Sequence, residues 1–236
     1  MSSSNGVAFI TVVGVGPGDG RLLTLRGREV LEQADLVAGF QTVLEVVRPW
    51  LARAEVRSMT YGDQEEVLEY TVGQARLGRS CVVCCWGDFN VSAQELLARV
   101  RRRADGVDLV PGISSVQVAC ARAGIAWEEA LFITLHQRRD TGDLEELVHY
   151  LREGRRHIIL LPRPWDLMPG DIAARLLEAG VPDQRPVRVY QRLTLDGEQE
   201  WSGTLKECAA STGEYSDLTI MVFLRPSSET GAPRGE

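Results

Sequence analysis

Residues 10–19, with the sequence ITVVGVGPGD, and residues 22–27, LLTLRG, predict a strand, a glycine-rich turn and the beginning of a helix. The β-branched apolar run is typical of a buried strand, and it ends abruptly at three glycines and a proline. Glycine lets a ligand approach the backbone because no Cβ stands in the way. Pro17, in contrast, fixes φ and lacks an amide donor, so this turn offers fewer N–H groups than a phosphate-binding loop.

The same turn departs from two nucleotide-binding motifs. In the dinucleotide fingerprint G-x-G-x-x-G, Asp19 would replace the third glycine, and its carboxylate would face a pyrophosphate unfavourably. A P-loop requires a lysine followed by serine or threonine, and neither follows these glycines. Taken alone, the segment is also compatible with a tight turn that binds nothing.

Charge and hydropathy limit the partners of the chain. The formal net charge of −7 argues against an extended nucleic-acid interface, which requires a basic face. No apolar run reaches the roughly 18–20 residues of a membrane span, and residues 1–6 lack the basic and apolar regions of a signal peptide. We therefore expect a cytoplasmic protein with neither a nucleic-acid nor a membrane partner.

The chain contains five cysteines, an odd number that does not favour a disulfide framework in a reducing compartment. Cys81 and Cys84 have C-x-x-C spacing, but they lie within an apolar strand pattern, where cysteine packs as a small hydrophobe. No second C-x-x-C accompanies them, and the three histidines complete no convincing zinc set. Packing is the favoured interpretation, redox or metal chemistry the alternative, and we expect no metal.

Apolar strands alternate with amphipathic helices in the first half, which predicts a parallel sheet with helical crossovers. The predicted strands are residues 7–13, 35–38, 56–59, 81–86 and 107–110, and the predicted helices are residues 25–33, 43–50, 65–77 and 93–103.

The second half has a different pattern of predicted elements, which includes an edge strand or hairpin at residues 198–204. Its other predicted strands are residues 131–135, 157–161, 187–192 and 218–224, and its strong helices are residues 144–151 and 172–179. The fold class is therefore α/β, with an N-terminal domain at residues 1–115 and a C-terminal domain at residues 116–226. The polar segment 227–236 is expected to be a disordered tail.

Two further glycine-containing loops follow predicted strands, at residues 85–92, CWGDFNVS, and residues 110–117, VPGISSVQ. Because carboxyl ends of parallel strands meet at one edge of a sheet, the three loops predict a small-molecule site. Asp88 would supply a carboxylate from a loop outside the core. Of Ser114 and Ser115, one is expected to cap a helix and the other to face the ligand.

The three loops resemble the signature loops of the tetrapyrrole (corrin/porphyrin) methylase family, and the likeness extends over about residues 7–225. Residues 127–130, WEEA, and 132–136, FITLH, are similar to the branch of CbiE-type subunits of precorrin-6Y C5,15-methyltransferase. Two positions depart from the usual family pattern: Phe89 replaces a proline and Gln137 replaces a glycine.

The resemblance implies S-adenosylmethionine as methyl donor, held in a cleft between two α/β domains. Asp88 would pair with the ammonium group of the donor, and Leu161 and Leu193 would close on its adenine. By position, the implied donor-binding residues are Gly14, Gly16, Pro17, Trp86, Gly87, Asp88, Val91, Ser114, Ser115, Leu161 and Leu193.

The implied reaction is displacement of the donor's methyl group by carbon C5 of a reduced corrin precursor of the precorrin-6/7 type, a step of cobalamin biosynthesis. Such a reaction needs alignment and exclusion of water rather than a dedicated acid–base pair. No catalytic residue is assigned; His136 could move a proton on the macrocycle or be structural. Arginines that could hold the substrate's carboxylates, or simply be solvated, are Arg21, Arg26, Arg138 and Arg163.

The family also implies a homodimer, and a separate protein for C15 methylation and decarboxylation because one methylase pattern occupies residues 7–225. Three alternatives remain open. The chain could be another methylase of the family, acting on uroporphyrinogen III, diphthine or a ribosomal-RNA cytidine. It could be a non-catalytic S-adenosylmethionine-binding protein, which Phe89 and Gln137 would permit, or a nicotinamide-dependent reductase.

Overall fold

The computed structural model describes residues 6–136 and 142–226, which divide into two compact units with the boundary between Ser115 and Val116. Each unit contains a five-stranded sheet with helices, so the α/β fold class with two sheets is confirmed. The predicted tail at residues 227–236 lies outside the described residues.

The first unit contains a parallel sheet in the strand order β3-β2-β4-β1-β5. Its strands are β1 (Phe9–Gly14), β2 (Leu36–Phe40), β3 (Glu55–Met59), β4 (Cys81–Cys85) and β5 (Gly106–Val110). The connecting helices are α1 (Leu25–Glu32), α2 (Gln41–Val47), α3 (Gln64–Arg76) and α4 (Gln94–Arg101). Both the strands and the parallel arrangement agree with the sequence prediction.

Strands β1 and β4 lie at the centre of this sheet and are buried on both faces, as in other parallel sheets. Ile10 and Val83 belong to an apolar cluster that includes Leu68 of α3 and Leu97 of α4. Alternate strand residues belong to a second apolar cluster that includes residues of α1 and α2. The sheet is therefore held between two helical layers, which leaves its strand ends for the loops of the candidate site.

The five cysteine thiols are buried. Burial raises the pKa of Cys81 to about 11 and that of Cys85 to about 12, and it raises the pKa of Cys84 further still. A thiol that stays protonated at neutral pH is a poor nucleophile and metal ligand. The structure therefore supports the packing interpretation of the cysteines in β4.

The second unit contains a mixed sheet in the order β6-β7-β10-β8-β9. Strands β6 and β7 are parallel, whereas β10 is antiparallel to β7 and β8, and β9 is antiparallel to β8. The strands are β6 (Ala130–Thr134), β7 (His157–Leu161), β8 (Pro186–Gln191), β9 (Gln199–Thr204) and β10 (Thr219–Phe223). The helices are α5 (Ser115–Ala123), α6 (Asp143–Glu153), α7 (Pro169–Glu178) and α8 (Leu205–Ala209).

Two local features differ from the sequence prediction. The helix expected at residues 43–50 ends at Val47, and Arg48–Trp50 forms a 3-10 turn, because Pro49 has no amide hydrogen with which to continue the helical hydrogen bonds. Helix α8 was not predicted, although its capping box, with Thr204 and Glu207 bonded to each other's backbone, can be seen in the sequence. The edge strand or hairpin predicted at residues 198–204 is β9, which lies at the edge of the sheet and pairs antiparallel with β8.

Among the described residues, no helix combines the length and the apolar character needed to cross a membrane.

Candidate functional site

The three glycine loops of the first unit meet backbone to backbone at the carboxyl edge of its sheet. A Cβ on Gly14 would lie 2.6 Å from the carbonyl oxygen of Gly87 and 2.8 Å from the amide nitrogen of Gly112. A Cβ on Gly112 would lie 2.5 Å from the carbonyl oxygen of Gly14 and closer still to that of Gly87. Real Cβ atoms do not approach so closely, so these positions require glycine, and the predicted convergence of the three loops is observed.

Hydrogen bonds join the first loop to the second. Gly16 N donates to Gly87 O at 3.2 Å, and Gly87 N donates to Gly16 O at 2.9 Å. Gly16 and Gly87 have φ of +88° and +57°, which other residues rarely adopt. These two amides are therefore used between the loops and are not available to bind a phosphate.

Asp88 is not the loop carboxylate outside the core that the sequence suggested. It is 9% exposed, and its carboxylate accepts hydrogen bonds from Asn90 N at 2.8 Å and from Gly112 N at 3.1 Å. Asp88 thus ties the second loop to the third. An ionised carboxylate has about four acceptor sites, so these bonds leave acceptor capacity for the ammonium group that the resemblance implies.

The remaining predicted donor residues of the first unit lie in or beside these loops. Pro17 is buried, and Trp86 and Val91 are partly buried. Ser114 is 3% exposed and immediately precedes α5, which begins at Ser115. Ser114 thus occupies the position of a helix cap, and which serine faces a ligand stays a prediction.

The arginines predicted to hold substrate carboxylates are paired with acids where the structure describes them. Arg21 lies 2.6 Å from Asp19, whose pKa is lowered chiefly by the side-chain hydrogen bond from Arg21. Arg26 lies 3.3 Å from Glu29, and its side chain is exposed. Ion pairs between residues so close in sequence are compatible with both interpretations, in which the arginines hold substrate carboxylates or are simply solvated.

Arg163 pairs with Asp166, three residues further along the chain. The fourth candidate, Arg138, and the family departure at Gln137 lie outside the described residues.

The predicted donor residues of the second unit share one edge of its sheet. Strands β6, β7 and β8 run in the same direction, since β10 is antiparallel to both β7 and β8. Leu161 ends β7, Leu193 follows β8 and His136 follows β6. Both leucines are buried. The carboxyl edge of a sheet is the usual location of ligand sites in α/β folds.

His136 is the titratable group of this edge that a ligand could use. Burial lowers its pKa, while the carboxylate of Asp217 acts in the opposite direction. Its Nδ1 is buried and has no hydrogen-bond partner among the described residues. The ring lies edge-on to Trp165, with centroids 6.2 Å apart. At neutral pH the imidazole is therefore uncharged, with a nitrogen left to accept or donate a hydrogen bond.

Sequence reasoning missed two features of this edge. Trp165 is 56% exposed in the loop between β7 and α7. The signal that could have revealed it is an apolar aromatic residue in a loop that follows a predicted strand. The turn after β8 contains Arg192 and Thr194 with φ of +52° and +67°. No residue type at these positions signals a left-handed backbone, so the sequence could not reveal it.

A groove of about 500 Å³ lies on the first unit, against α1 and the edge strand β5. Arg26 is the one predicted site residue that lines it, and the lining residues are Thr11, Thr24, Arg26, Val30, Asp108, Leu109, Val110 and Pro111. The groove therefore includes the first two residues of the third glycine loop, Val110 and Pro111, but none of the loop glycines and not Asp88.

The chain is similar to known proteins along most of its length. The model of the Tetrapyrrole (Corrin/Porphyrin) Methylases family matches residues 10–209. A protein of Methanocaldococcus jannaschii named probable cobalt-precorrin-7 C(5)-methyltransferase is 27% identical over 216 residues, which cover 91% of this chain and 97% of that protein.

A siroheme synthase of Neisseria meningitidis is 32% identical over 217 residues, which cover 85% of this chain. The chain spans only 44% of that protein's length. The crystal structure of the precorrin-6Y methylase CbiE from Archaeoglobus fulgidus matches with a TM-score of 0.64 and 25% identity, covering 93% of this chain and 98% of that one.

Proposed function

Since the chain belongs to the tetrapyrrole (corrin/porphyrin) methylase family and is thus a methyltransferase, we propose that it methylates carbon C5 of a corrin precursor of the precorrin-6/7 type in cobalamin biosynthesis. The methyl donor is S-adenosylmethionine, which tetrapyrrole methylases use. The observation that carries the C5 assignment is the end-to-end match to the Methanocaldococcus protein, whose name specifies this position.

The glycine-loop cluster of the first unit fits the proposed donor. Its loops approach one another closely because Gly14 and Gly112 carry no Cβ, and Asp88 holds the second and third loops together. We assign the remaining acceptor capacity of Asp88 to the donor's ammonium group, because a charge-assisted hydrogen bond is stronger than a neutral one. Gly16, Pro17, Trp86, Gly87, Val91, Ser114 and Ser115 complete the proposed set in this unit, and Leu161 and Leu193 belong to it in the second.

When bound, the donor supplies a methyl group on a sulfonium, which is a good leaving group. The chain's residues then need to orient the reactants and exclude water. Asp88 and the glycine contacts fix the loops before the ligand arrives, which lowers the ordering cost of binding. In the second unit, we propose that the neutral His136 exchanges a proton with the macrocycle.

We propose that Arg21 and Arg26 bind carboxylates of the substrate. Both side chains are largely exposed, at 90% and 70%, and their ion pairs with Asp19 and Glu29 are local. Exposed pairs of this kind are weak, so a substrate carboxylate can compete for the guanidinium groups. Arg163 is less accessible, since its side chain is 22% exposed and paired with Asp166.

Methylation of uroporphyrinogen III is the second candidate function. It is favoured by the 32% identity to a siroheme synthase, a higher identity than that of the Methanocaldococcus protein. That match covers less than half of the siroheme synthase, whereas the C5 relative is matched over nearly its full length. We therefore rank C5 methylation first.

The deciding experiment offers both substrates to the purified chain with a donor labelled in its methyl group. We expect label on the corrin precursor, at C5 as located by NMR, and none on uroporphyrinogen III. Label on uroporphyrinogen III alone would replace the first function with the second. Protein with Asp88→Ala is the control for donor-dependent transfer.

We also propose that this chain acts at C5 only, as a homodimer, and that another protein performs C15 methylation and decarboxylation. The full-length match to a protein named for C5 alone supports this division. Mass spectrometry of the product should show one added methyl group without loss of carbon dioxide. A doubly methylated, decarboxylated product from this chain alone would contradict it, and analytical ultracentrifugation tests the dimer.

A further inference from the structure

The turn after β8 has an unfavourable backbone conformation at two positions. Arg192 and Thr194 have φ of +52° and +67°, in the left-handed region that favours glycine. A β-branched residue such as Thr194 is a genuine outlier there, because its Cβ substituents collide with the backbone. Such conformations persist only where the surroundings impose them, and they concentrate at ligand-binding sites.

The carboxylate of Glu198 is hydrogen-bonded to this turn. Its Oε2 accepts a hydrogen bond from Thr194 N at 2.7 Å. Two backbone bonds complete the turn: Leu195 N donates to Arg192 O at 2.9 Å, and Glu198 N donates to Leu195 O at 3.1 Å. The outlier residue is therefore bonded directly to a charged side chain on the same turn.

Arg122 of α5 holds Glu198 in place. Its guanidinium lies 3.1 Å from Oε1 of Glu198, the oxygen that does not bond Thr194. Arg188 of β8 in turn donates to the carbonyl oxygen of Arg122 at 3.3 Å. The helix that carries Arg122 begins at Ser115. Glu198 thus connects the turn to α5.

Leu193 lies between the two left-handed residues and is 4% exposed. It shares the carboxyl edge of the second sheet with Leu161 and His136. The unfavourable turn therefore lies where α/β proteins bind ligands rather than in a distant surface loop.

We propose that Glu198, anchored by Arg122, is a positioning residue that holds the turn at residues 192–194 against the adenosyl portion of the methyl donor. The inference rests on the proposed function, because it requires a donor with an adenosyl group. Glu198 acts through the turn and does not touch the reacting atoms. Without its carboxylate, Thr194 relaxes to an ordinary conformation and the turn withdraws from the ligand.

The test compares Glu198→Ala with a matched control, Glu200→Ala, by calorimetric titration with S-adenosylhomocysteine. Glu200 lies two residues further along, in β9, and has the same charge, but its carboxylate lies 3.9 Å from Arg188 and makes no contact with the turn in the described structure. We expect Glu198→Ala to weaken binding about tenfold or more, the effect of losing one charge-assisted contact, and Glu200→Ala to bind like the unaltered protein.

A rescue variant separates positioning from general stability. Glycine adopts φ of +67° without steric cost, so adding Thr194→Gly to Glu198→Ala should recover part of the lost affinity. Should Glu198→Ala fail to fold, Arg122→Met removes the anchor while leaving the bond to Thr194, and should weaken binding in the same direction by less. The thermal midpoint of each variant without ligand shows that folded protein is compared.

The outcomes distinguish the two proposals. Unaltered affinity in Glu198→Ala, or equal losses in both alanine variants, would overturn the positioning role and leave the proposed function intact. Absence of S-adenosylhomocysteine binding by the unaltered chain would overturn both.

Discussion

At the scale of single residues, Asp88 shows how a polar side chain can serve structure and ligand together. Its carboxylate is buried and accepts amide hydrogen bonds from two loops. If Asp88 bonded only to the ammonium group of a bound ligand, as the sequence suggested, its removal would not change the free energy of unfolding. The structure reverses that expectation, since two amides would lose their acceptor.

We predict that Asp88→Ala lowers the free energy of unfolding by about 1–3 kcal/mol, because buried donors left without partners are costly, and also weakens S-adenosylhomocysteine binding. Urea denaturation and calorimetric titration measure the two effects. Asp19→Ala is the control: this partly exposed carboxylate bonds to Arg21 and caps a 3-10 turn, and its loss should have the smaller effect on stability. Equal stability of the Asp88 variant and the unaltered protein would show that the two bonds contribute nothing.

Gly112 provides a second prediction at this scale. An alanine Cβ there would collide with the carbonyl oxygens of Gly14 and Gly87, so Gly112→Ala should destabilise the protein by about 1–3 kcal/mol, as overpacking does. Gly73, within α3, has no heavy atom within 4 Å of its Cβ position. Gly73→Ala should therefore stabilise the protein by about 0.5–1 kcal/mol. Denaturation midpoints of both variants test this contrast. Midpoints that shift in the same direction by a similar amount would contradict it.

At the scale of secondary-structure elements, the end of β6 places an uncharged histidine at the edge of the second sheet. Burial lowers the pKa of His136 below its ordinary value of 6.5, so the unfolded chain binds a proton more readily than the folded one. Stability is then fully present above pH 6.5 and decreases as the pH falls below it.

We predict that the unfolding free energy falls between pH 7 and pH 5, and that His136→Gln reduces this slope. Part of the slope should remain, because burial also lowers the pKa of His157. Denaturation curves across this pH range give the comparison. An identical slope in the variant and the unaltered protein would show that His136 is not desolvated in solution.

At the scale of the whole molecule, ligand choice follows from how the loops use their backbone groups. The amides of Gly16 and Gly87 are bonded to each other's carbonyls, and Pro17 has no amide hydrogen to offer. A pyrophosphate would therefore find few donors in the first loop. We predict calorimetric binding of S-adenosylhomocysteine and none of NAD or ATP. Tight NAD binding without binding of the adenosyl ligand would contradict both the assignment and this account of the loops.

The sequence by itself determined the strands, most helices and the position of each glycine loop. Apolar runs such as residues 81–85 and the glycines that follow them are local signals, and local signals specify local backbone. The α/β class, the parallel first sheet and the edge position of β9 followed from the order of these elements. The family resemblance rested on the same local segments and was confirmed over residues 10–209.

Only the tertiary structure decided which groups the residues of the candidate site bond to. Strand order brings Gly16 to Gly87 and Asp88 to Gly112, and no periodicity in the sequence encodes which loops become neighbours. The left-handed turn at Thr194 was invisible for a related reason. Threonine avoids that conformation on its own, and the carboxylate that bonds to its amide, that of Glu198, pairs with Arg122 of a distant helix. Local propensity determines elements, whereas non-local hydrogen bonds determine how their ends are held.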